Sequence, residues 1–214
     1  MSLIRPAHTT RAALYRIAHL PDPFAWPPRE FVGGGRFDDP EGEFRVLYAA
    51  AQRRGAFVET LARFRLSLAS LAELQRVAGS AEPLPRASVP ADWYQKRAVV
   101  RLRLLPRQRW LDLRIAETRE ALRRELAPTL LALGLSDLDL SRVLGPRRAL
   151  TQAIARWAYE HGYAGLVYFS RLDESCSLWA IFEGARFEPV GLPEPIVPDD
   201  PDLVATARLF DLVV

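Results

Sequence analysis

The chain has 214 residues, of which 49% are hydrophobic, and its composition favours one folded domain over residues 1–214 and excludes a disordered chain. Its single cysteine, Cys176, excludes an internal disulfide, and with three histidines no Cys/His metal site is predicted. The net charge of +3 is too small to favour nucleic acid, and the absence of an apolar run of about 20 residues or a signal-peptide core predicts a cytoplasmic protein without a membrane span.

The N-terminal part predicts two strands, a long loop and a helix. Short apolar runs predict strands at 13–17 and 45–49, and the Pro- and Gly-rich stretch 20–40 predicts a loop that lines a site. After Gly55 the spacing of three apolar residues predicts a helix with one buried face, made of Phe57, Leu61 and Phe64.

The middle of the chain alternates between helical and extended patterns. Helices are predicted at 68–77 and 115–133, the second divided or kinked at Pro128. The proline-rich stretch 79–90 predicts a loop, and strands are predicted at 99–104 and 110–113.

The C-terminal part predicts a helix followed by a hairpin. Leu150, Ile154, Trp157 and Ala158 share a helical face, and His161 followed by Gly162 is typical of a helix end. Strands at 165–169 and 178–182 with a turn at 170–177 follow, and 207–214 is interpreted as an edge strand. Because strands and helices mix without βαβ repetition, the sequence predicts an α+β fold in which helices flank a central mixed or antiparallel sheet.

Most standard catalytic motifs are absent. Gly33 to Gly35 follow a proline-rich loop and do not open a helix, so they are not a dinucleotide fingerprint, and no GxxxxGK[ST], HExxH or GxSxG motif occurs. A pairing of Ser170 as nucleophile with His161 as base is conceivable from residue type, but the spacing does not favour it.

Three segments in their order and spacing carry a resemblance: LYRI at 14–17, GGGRFDDPEGEFRVLYAAAQRRGAFVETL at 33–61, and LTQAIARWAYEHGYAGLVYFSRLDESCSLWAIFE at 150–183. They resemble the RES-domain family. The resemblance implies a fold similar to that of ADP-ribosyltransferases, a bacterial toxin that consumes NAD⁺, and an Xre-type helix-turn-helix antitoxin as partner, with a homodimer as an option within that complex.

The family's functional residues transfer to five positions of this chain. The resemblance implies catalytic roles for Arg36, Glu59 and Ser170, and NAD⁺ binding by Arg16, Arg36, Tyr48 and Ser170. It also implies NAD⁺ as a substrate without a prosthetic group, and inorganic phosphate as a co-substrate.

One departure from the family pattern concerns the residues after Arg36. Where the family pattern is GGRW-N, this chain has Phe37 and Asp38, so that an aromatic ring of different size and an added negative charge follow Arg36, and Asp38 is expected to weaken anion binding there.

The chemistry of these residue types fits an attack on NAD⁺. Arginine forks bind pyrophosphate oxygens, and a fixed carboxylate stabilises the oxocarbenium character that forms when the nicotinamide–ribose bond breaks. Each residue also has an ordinary structural interpretation, which residue chemistry alone favours. Glu59 would be a solvated partner of the helix dipole in a first turn, Arg16 a strand residue that reaches solvent, and Arg36 an exposed turn arginine. Tyr48 would be a core residue and Ser170 a turn cap.

The leading hypothesis is therefore cleavage of NAD⁺ to free nicotinamide with phosphate or water as acceptor. Two alternatives stay open, namely ADP-ribosyl transfer to a protein and a non-catalytic binding module. A further arginine-rich stretch is interpreted as a solvated face, with an acidic antitoxin surface or nucleic acid as the alternative partner; it contains the arginines at 97, 101, 103, 107 and 109.

Overall fold

The computed structural model describes residues 4, 10, 12–78 and 84–214. Its strands are β1 Leu14–His19, β2 Val46–Ala50, β3 Ala87–Ser88, β4 Arg97–Leu104, β5 Trp110–Asp112, β6 Gly165–Phe169, β7 Ser177–Phe182, β8 Phe187–Pro189, β9 Glu194–Pro195 and β10 Leu212–Val213. Its α-helices are α1 Arg53–Leu61, α2 Leu68–Ala78, α3 Ala91–Gln95, α4 Ala116–Glu125, α5 Ala127–Ala132, α6 Leu140–Leu144, α7 Arg148–Glu160 and α8 Pro201–Leu209. Single 3-10 turns occupy Arg29–Phe31 and Ala62–Phe64.

The main sheet is mixed and flanked by helices, which confirms the predicted α+β class. Its strand order is β5-β6-β7-β2-β1-β4-β8, and β9 pairs with β4 beside this path. The pair β5–β6 is parallel and the other pairs of this sheet are antiparallel. A separate parallel pair joins β3 to β10.

Alternation along the central strands gives the sheet an apolar core on each face. On β2, Val46 and Ala50 belong to the larger core, whereas Leu47 and Ala49 belong to the smaller one. The larger core also contains buried residues of α1 and α7, so these two helices cover the same face.

The centre of the sheet is only weakly joined. The register between β1 and β2 is a single pair, Tyr15 with Ala50. By contrast, β1 pairs with β4 over six residues and β2 pairs with β7 over five. The two halves of the sheet are therefore joined by one residue pair. Side chains of β1 and β2 next to this pair line a cavity.

Most predicted elements are confirmed. The six predicted strands between residues 13 and 182 correspond to β1, β2, β4, β5, β6 and β7, and the predicted helices at 68–77 and around 150–158 correspond to α2 and α7. The predicted division near Pro128 is also confirmed, because Leu126 leaves helical geometry between α4 and α5, and Pro128 lies in the first turn of α5, where a missing N–H is tolerated. Of the helices in the described ranges, none combines the length and apolarity that crossing a membrane requires.

The prediction of an edge strand at 207–214 was wrong over most of its length. Helix α8 runs to Leu209, and only Leu212 and Val213 are extended. The cause lies upstream: the Asp200 side chain accepts hydrogen bonds from the N–H groups of Asp202 and Leu203, and Pro201 fits the first helical turn.

Two further differences concern helix positions. Helix α1 begins at Arg53, whereas the sequence predicted a helix that begins after Gly55. Helix α6 was not predicted and is capped by Asp139, whose side chain accepts a hydrogen bond from the Arg142 N–H. Of the loop predicted at 79–90, residues 79–83 lie outside the described residues, and 87–88 form β3.

Candidate functional site

A cavity of about 500 Å³ opens where β1, β2 and α1 meet. Four of the five residues expected from the resemblance line it: Arg16, Arg36, Tyr48 and Glu59. The fifth, Ser170, is buried at the end of β6 with 1% of its surface exposed. The volume lies within the range of roughly 300–1,000 Å³ typical of small-molecule sites.

Ser170 lies behind Glu59 and fixes its carboxylate. The Ser170 hydroxyl donates to Glu59 Oε1 at 2.6 Å and accepts from the N–H groups of Leu172 at 3.0 Å and Asp173 at 3.2 Å. Its proton and lone pairs are thus all engaged, so the serine caps the turn and positions the glutamate at the same time.

The pairing of Ser170 with His161 does not form. The Nδ1 atom of His161 lies 2.7 Å from the carbonyl oxygen of Trp157, and its ring stacks on the Trp157 ring with centroids 4.0 Å apart. His161 is therefore engaged at the end of α7 and is not the base for a serine nucleophile.

Glu59 occupies a different helical position from the predicted one. It is the seventh residue of the nine-residue helix α1, near the C-terminal end, and not in the first turn. The helix dipole there disfavours a negative charge, so the solvated dipole-partner interpretation does not apply. Desolvation at the cavity raises the pKa of Glu59, against the lowering effects of the Ser170 hydrogen bond and the charges of Arg36 and Arg171.

Hydrogen bonds fix both the side chain and the backbone of Arg36. Its Nη1 donates to the carbonyl oxygens of Val143 at 2.9 Å and Gly145 at 2.8 Å, at the end of α6, and its own carbonyl accepts from the Thr151 hydroxyl. Burial lowers the pKa of Arg36, with the charge of Arg171 adding to the effect and that of Glu59 opposing it. Arg36 is thus a half-buried arginine of fixed orientation, not an exposed turn residue.

Tyr48 and Asp38 shape the glycine loop, residues 33–39. The Tyr48 hydroxyl donates to Asp38 Oδ1 at 2.7 Å and accepts from the Phe37 N–H at 3.0 Å, while Asp38 Oδ2 accepts from the Gly35 N–H at 2.7 Å. Burial, followed by the charge of Asp38, raises the pKa of Tyr48 well above its usual value. Tyr48 therefore holds the loop through its hydroxyl and presents the rest of its side chain to the cavity.

Asp38, which was expected to weaken anion binding at Arg36, is used for contacts within the glycine loop. Asp38 is 8% exposed, and both of its oxygens are used inside the loop. Phe37, the other departure from the family pattern, is fully buried with its ring centroid 4.5 Å from that of Tyr168. The two departures therefore build the loop, and the effect of Asp38 on anion binding stays a prediction.

The start of α7 fastens the same loop from outside. Gln152 Nε2 donates to the carbonyl oxygens of Gly33 at 3.0 Å and Gly35 at 3.1 Å, and Arg148 donates to that of Gly34. Sequence reasoning missed these polar residues because it searched α7 for its apolar face. Gln152 lies within the 150–183 segment that carries the resemblance, but no local pattern indicated its contacts with a loop more than 100 residues earlier.

Arg16 lies at the weak joint of the sheet. Its Nη1 donates across the joint to the Tyr48 carbonyl at 3.1 Å, and its buried Nε has no hydrogen-bond partner among the described residues. Burial lowers the pKa of Arg16 to about 10, so the guanidinium stays charged at neutral pH. Arg16 is a half-buried cation, not a strand residue that reaches freely into solvent.

A family model described as the RES domain matches residues 13–205. The chain belongs to the RES-domain family. The match confirms the resemblance and includes all five residues carried over from it.

A search of solved structures adds a structural neighbour. A chain of the crystal structure described as the M. tuberculosis MbcT–MbcA toxin–antitoxin complex superposes with a TM-score of 0.57 at 14% identity, covering 96% of this chain and 92% of that chain. At this identity the likeness shows a shared fold. No curated protein matches the chain.

The cavity of this RES domain contains more cations than the sequence indicated. Six arginines line it, and Glu59 is the one carboxylate among the described residues that do so. Four of these arginines were not predicted as site residues: Arg63, Arg97, Arg148 and Arg171. Such an excess of positive charge favours an anionic ligand.

Two of the missed arginines had recognisable signals. Arg63 follows Glu59 by four residues, and this spacing on a helical segment brings two side chains to one face. Arg97 belongs to the stretch interpreted as a solvated face, which was wrong for this residue because it lines the cavity. Arg103 fits the interpretation, since it is an exposed residue paired with Glu188 at 2.9 Å.

Proposed function

We propose that this RES domain cleaves the bond between nicotinamide and ribose in NAD⁺ and acts as the toxin of a toxin–antitoxin pair. The observation that carries the proposal is the position of Glu59, a carboxylate fixed by Ser170 inside a cavity lined by six arginines. A dinucleotide whose ribose becomes positively charged during the reaction matches this arrangement, because arginines bind the pyrophosphate and one carboxylate stabilises the ribose cation.

In the proposed reaction the bond between ribose C1′ and the nicotinamide nitrogen breaks. The bonding electron pair goes to that nitrogen, neutral nicotinamide leaves, and positive charge develops on the ribose. The carboxylate of Glu59 stabilises that charge, while Arg36 and Arg16 hold the pyrophosphate. Ser170 keeps the carboxylate in one orientation, so that little reorganisation is needed during the reaction.

The acceptor is inorganic phosphate or water. Attack of a phosphate oxygen on C1′ gives ADP-ribose 1″-phosphate, and attack of water gives ADP-ribose and a proton. The family relationship and the cationic lining both favour phosphate.

Release of nicotinamide from NAD⁺ by the purified protein tests this proposal. The assay is run with and without inorganic phosphate, and we expect faster release and a phosphorylated product when phosphate is present. Equal rates with ADP-ribose as the product would make water the acceptor, whereas no release in either buffer would refute NAD⁺ cleavage. Labelled NAD⁺ in a cell extract reports the alternative, ADP-ribosyl transfer, as a labelled protein band.

The proposed biological role is depletion of cytoplasmic NAD⁺, restrained by an Xre-type helix-turn-helix antitoxin. Support comes from the family and from the fold shared with a chain of a toxin–antitoxin complex. Expression of the wild type is expected to arrest bacterial growth, and expression of Glu59→Ala is not. Equal tolerance of both would favour the non-catalytic binding module.

The partner has a separate test. Co-expression with an Xre-type protein encoded by the neighbouring gene should return a stable complex in a pull-down and restore growth. Absence of the complex would refute the partner without affecting the NAD⁺ assay, and the mass of the complex would show whether a homodimer forms within it.

A further inference from the structure

Three further basic side chains line the cavity besides the residues carried over from the family. This outer basic cluster consists of His19 at the end of β1, Arg63 in the turn after α1, and Arg97 at the start of β4. All three line the cavity, and His19 and Arg63 are exposed while Arg97 is half-buried. The cluster therefore lies on the solvent side, where a ligand reaches it.

The protein itself fixes Arg97 within this cluster. Its Nη1 donates to the Trp93 carbonyl at 3.0 Å, its guanidinium lies 5.3 Å from the centroid of the Trp93 ring, and its Nη2 donates to His19 Nε2 at 2.8 Å. A planar guanidinium held at three points is preorganised for bidentate contact with an oxyanion.

The cluster has its own electrostatic surroundings. The charges that lower the pKa of His19, after its burial, are those of Arg97, Arg16, Arg63 and Lys96. The charges that act on Glu59 are those of Arg36 and Arg171. Different charges therefore act on His19 and on Glu59, and Arg16 is the one family residue among those that act on His19.

Carboxylates do not balance the outer cluster. Within the described residues neither Arg63 nor Arg97 forms an ion pair, and Asp92, an acid whose charge acts on Arg97, is bound to Lys96 at 2.7 Å. In the proposed function, Arg16 and Arg36 match the two negative charges of the pyrophosphate. Further unpaired arginines that line the same cavity point to another anionic group.

We propose that the outer basic cluster is a subsite for a third phosphate group, a terminal phosphate dianion. Two sources have this chemistry, the ribose 2′-phosphate of an NADP⁺-type dinucleotide and free inorganic phosphate. The inference rests on the proposed function only in placing the dinucleotide in this cavity; Arg63 and Arg97 bind the third phosphate, and His19 orients Arg97.

Binding of two unreactive nucleotides separates this proposal from the catalytic one. Affinities of ADP-ribose and of its 2′-phosphate are measured by calorimetry, for the wild type and for Arg63→Gln and Arg97→Gln. We expect the wild type to prefer the 2′-phosphate by about tenfold or more, and each variant to lose most of this preference, with a much smaller loss of affinity for ADP-ribose because one of six attracting charges is removed. Arg65→Gln is the control, because Arg65 lies two residues away, stacks on Phe210 and does not line the cavity.

Competition with millimolar inorganic phosphate distinguishes the sources. Weaker binding of the 2′-phosphate alone would show that free phosphate also occupies the subsite, and unchanged binding would show that the subsite serves the nucleotide phosphate. No preference for the 2′-phosphate in the wild type, or equal losses for both nucleotides in the variants, would overturn the proposal. Thermal unfolding checks that each variant is folded, and because Arg63 is exposed, Arg63→Gln keeps the test decisive if Arg97→Gln is unstable.

Discussion

The contact between Ser170 and Glu59 joins the end of β6 to α1 and favours the ionised form of the glutamate. Desolvation raises the pKa of Glu59, whereas the donated hydrogen bond and the two nearby arginines stabilise its charged form. A catalytic carboxylate must be ionised, so the acid limb of the rate profile should lie above the ordinary range of a glutamic acid, about pH 4.3.

Ser170→Ala removes the hydrogen bond that lowers this pKa. The pKa of Glu59 should rise further, so that the charged form is lost at a higher pH and the acid limb of kcat/KM for NAD⁺ moves upward. We also expect kcat at neutral pH to fall by about tenfold, because the carboxylate loses its fixed orientation. Ser175→Ala is the control, since the Ser175 hydroxyl binds Asp173 instead; an acid limb that stays in place or moves to lower pH in Ser170→Ala would contradict the account.

For single residues, the sequence indicated a functional role only through the order and spacing of the segments that carry the family resemblance. Arg16, Arg36 and Tyr48 each had an ordinary interpretation, and the half-burial of the arginines and the Tyr48–Asp38 contact depend on long-range packing that local pattern does not contain. Arg63 was within reach of helical spacing, whereas Gln152 binds carbonyl groups more than 100 residues earlier and had no local signal.

The glycine loop is the element on which the position of Arg36 depends. A Cβ atom at Gly35 would lie 2.7 Å from the Tyr48 hydroxyl and even closer to the Asp38 carboxylate, whereas one at Gly34 would meet nothing within 4 Å. The loop is thus packed tightly on one side and open on the other.

Gly35→Ala should displace Asp38 and Tyr48 and move Arg36. We expect a loss of about 1–3 kcal/mol in the free energy of unfolding, from overpacking, and a clear rise of KM for NAD⁺. Gly34→Ala should change neither quantity appreciably. Chemical denaturation and steady-state kinetics measure both effects, and identical behaviour of the two variants would show that the loop does not position the site.

Helix α8, which was predicted as part of a strand, supports α1 from behind. Arg53 of α1 donates to Asp200 at 2.9 Å and to Asp202 at 2.8 Å, and Asp200, which is 5% exposed, also caps α8. This ionic connection holds the helix that carries Glu59.

Asp200→Ala should therefore destabilise the fold, because it leaves Arg53 with one partner fewer and removes a helix cap. We expect a loss of about 2–4 kcal/mol in the free energy of unfolding. The neighbouring Asp199 is exposed and does not cap α8, so Asp199→Ala should change stability by less than about 0.5 kcal/mol. Thermal unfolding of the pair measures the difference, and equal melting temperatures would refute the role of Asp200.

For the molecule as a whole, the sequence predicted the type of most helices and strands, but it did not predict how they are arranged. Periodicity indicated the strands and helices because each buries one face, and that was sufficient for the α+β class. The strand order, and the single Tyr15–Ala50 pair that leaves room for Arg16, follow from contacts distant in the sequence.

The positive charge of the cavity should make the binding of NAD⁺ depend on salt. Its six arginines act on a charged substrate at long range, and salt screens such attraction with a Debye length of about 10 Å at 0.1 M. KM for NAD⁺ should therefore rise several-fold between low and high ionic strength, while kcat changes little. A KM that is independent of salt would indicate that the arginines do not attract the substrate.

The central claim is that Glu59 makes this cavity a site of NAD⁺ cleavage, and Glu59→Gln tests it most directly, because the substitution removes the charge and keeps the size of the side chain. Nicotinamide release from NAD⁺ is measured for the purified wild type and for the variant, with thermal unfolding as the check on folding. We expect the wild type to release nicotinamide and Glu59→Gln to release it at a rate at least about 100-fold lower, at an unchanged melting temperature. A folded variant that releases nicotinamide as fast as the wild type would contradict it.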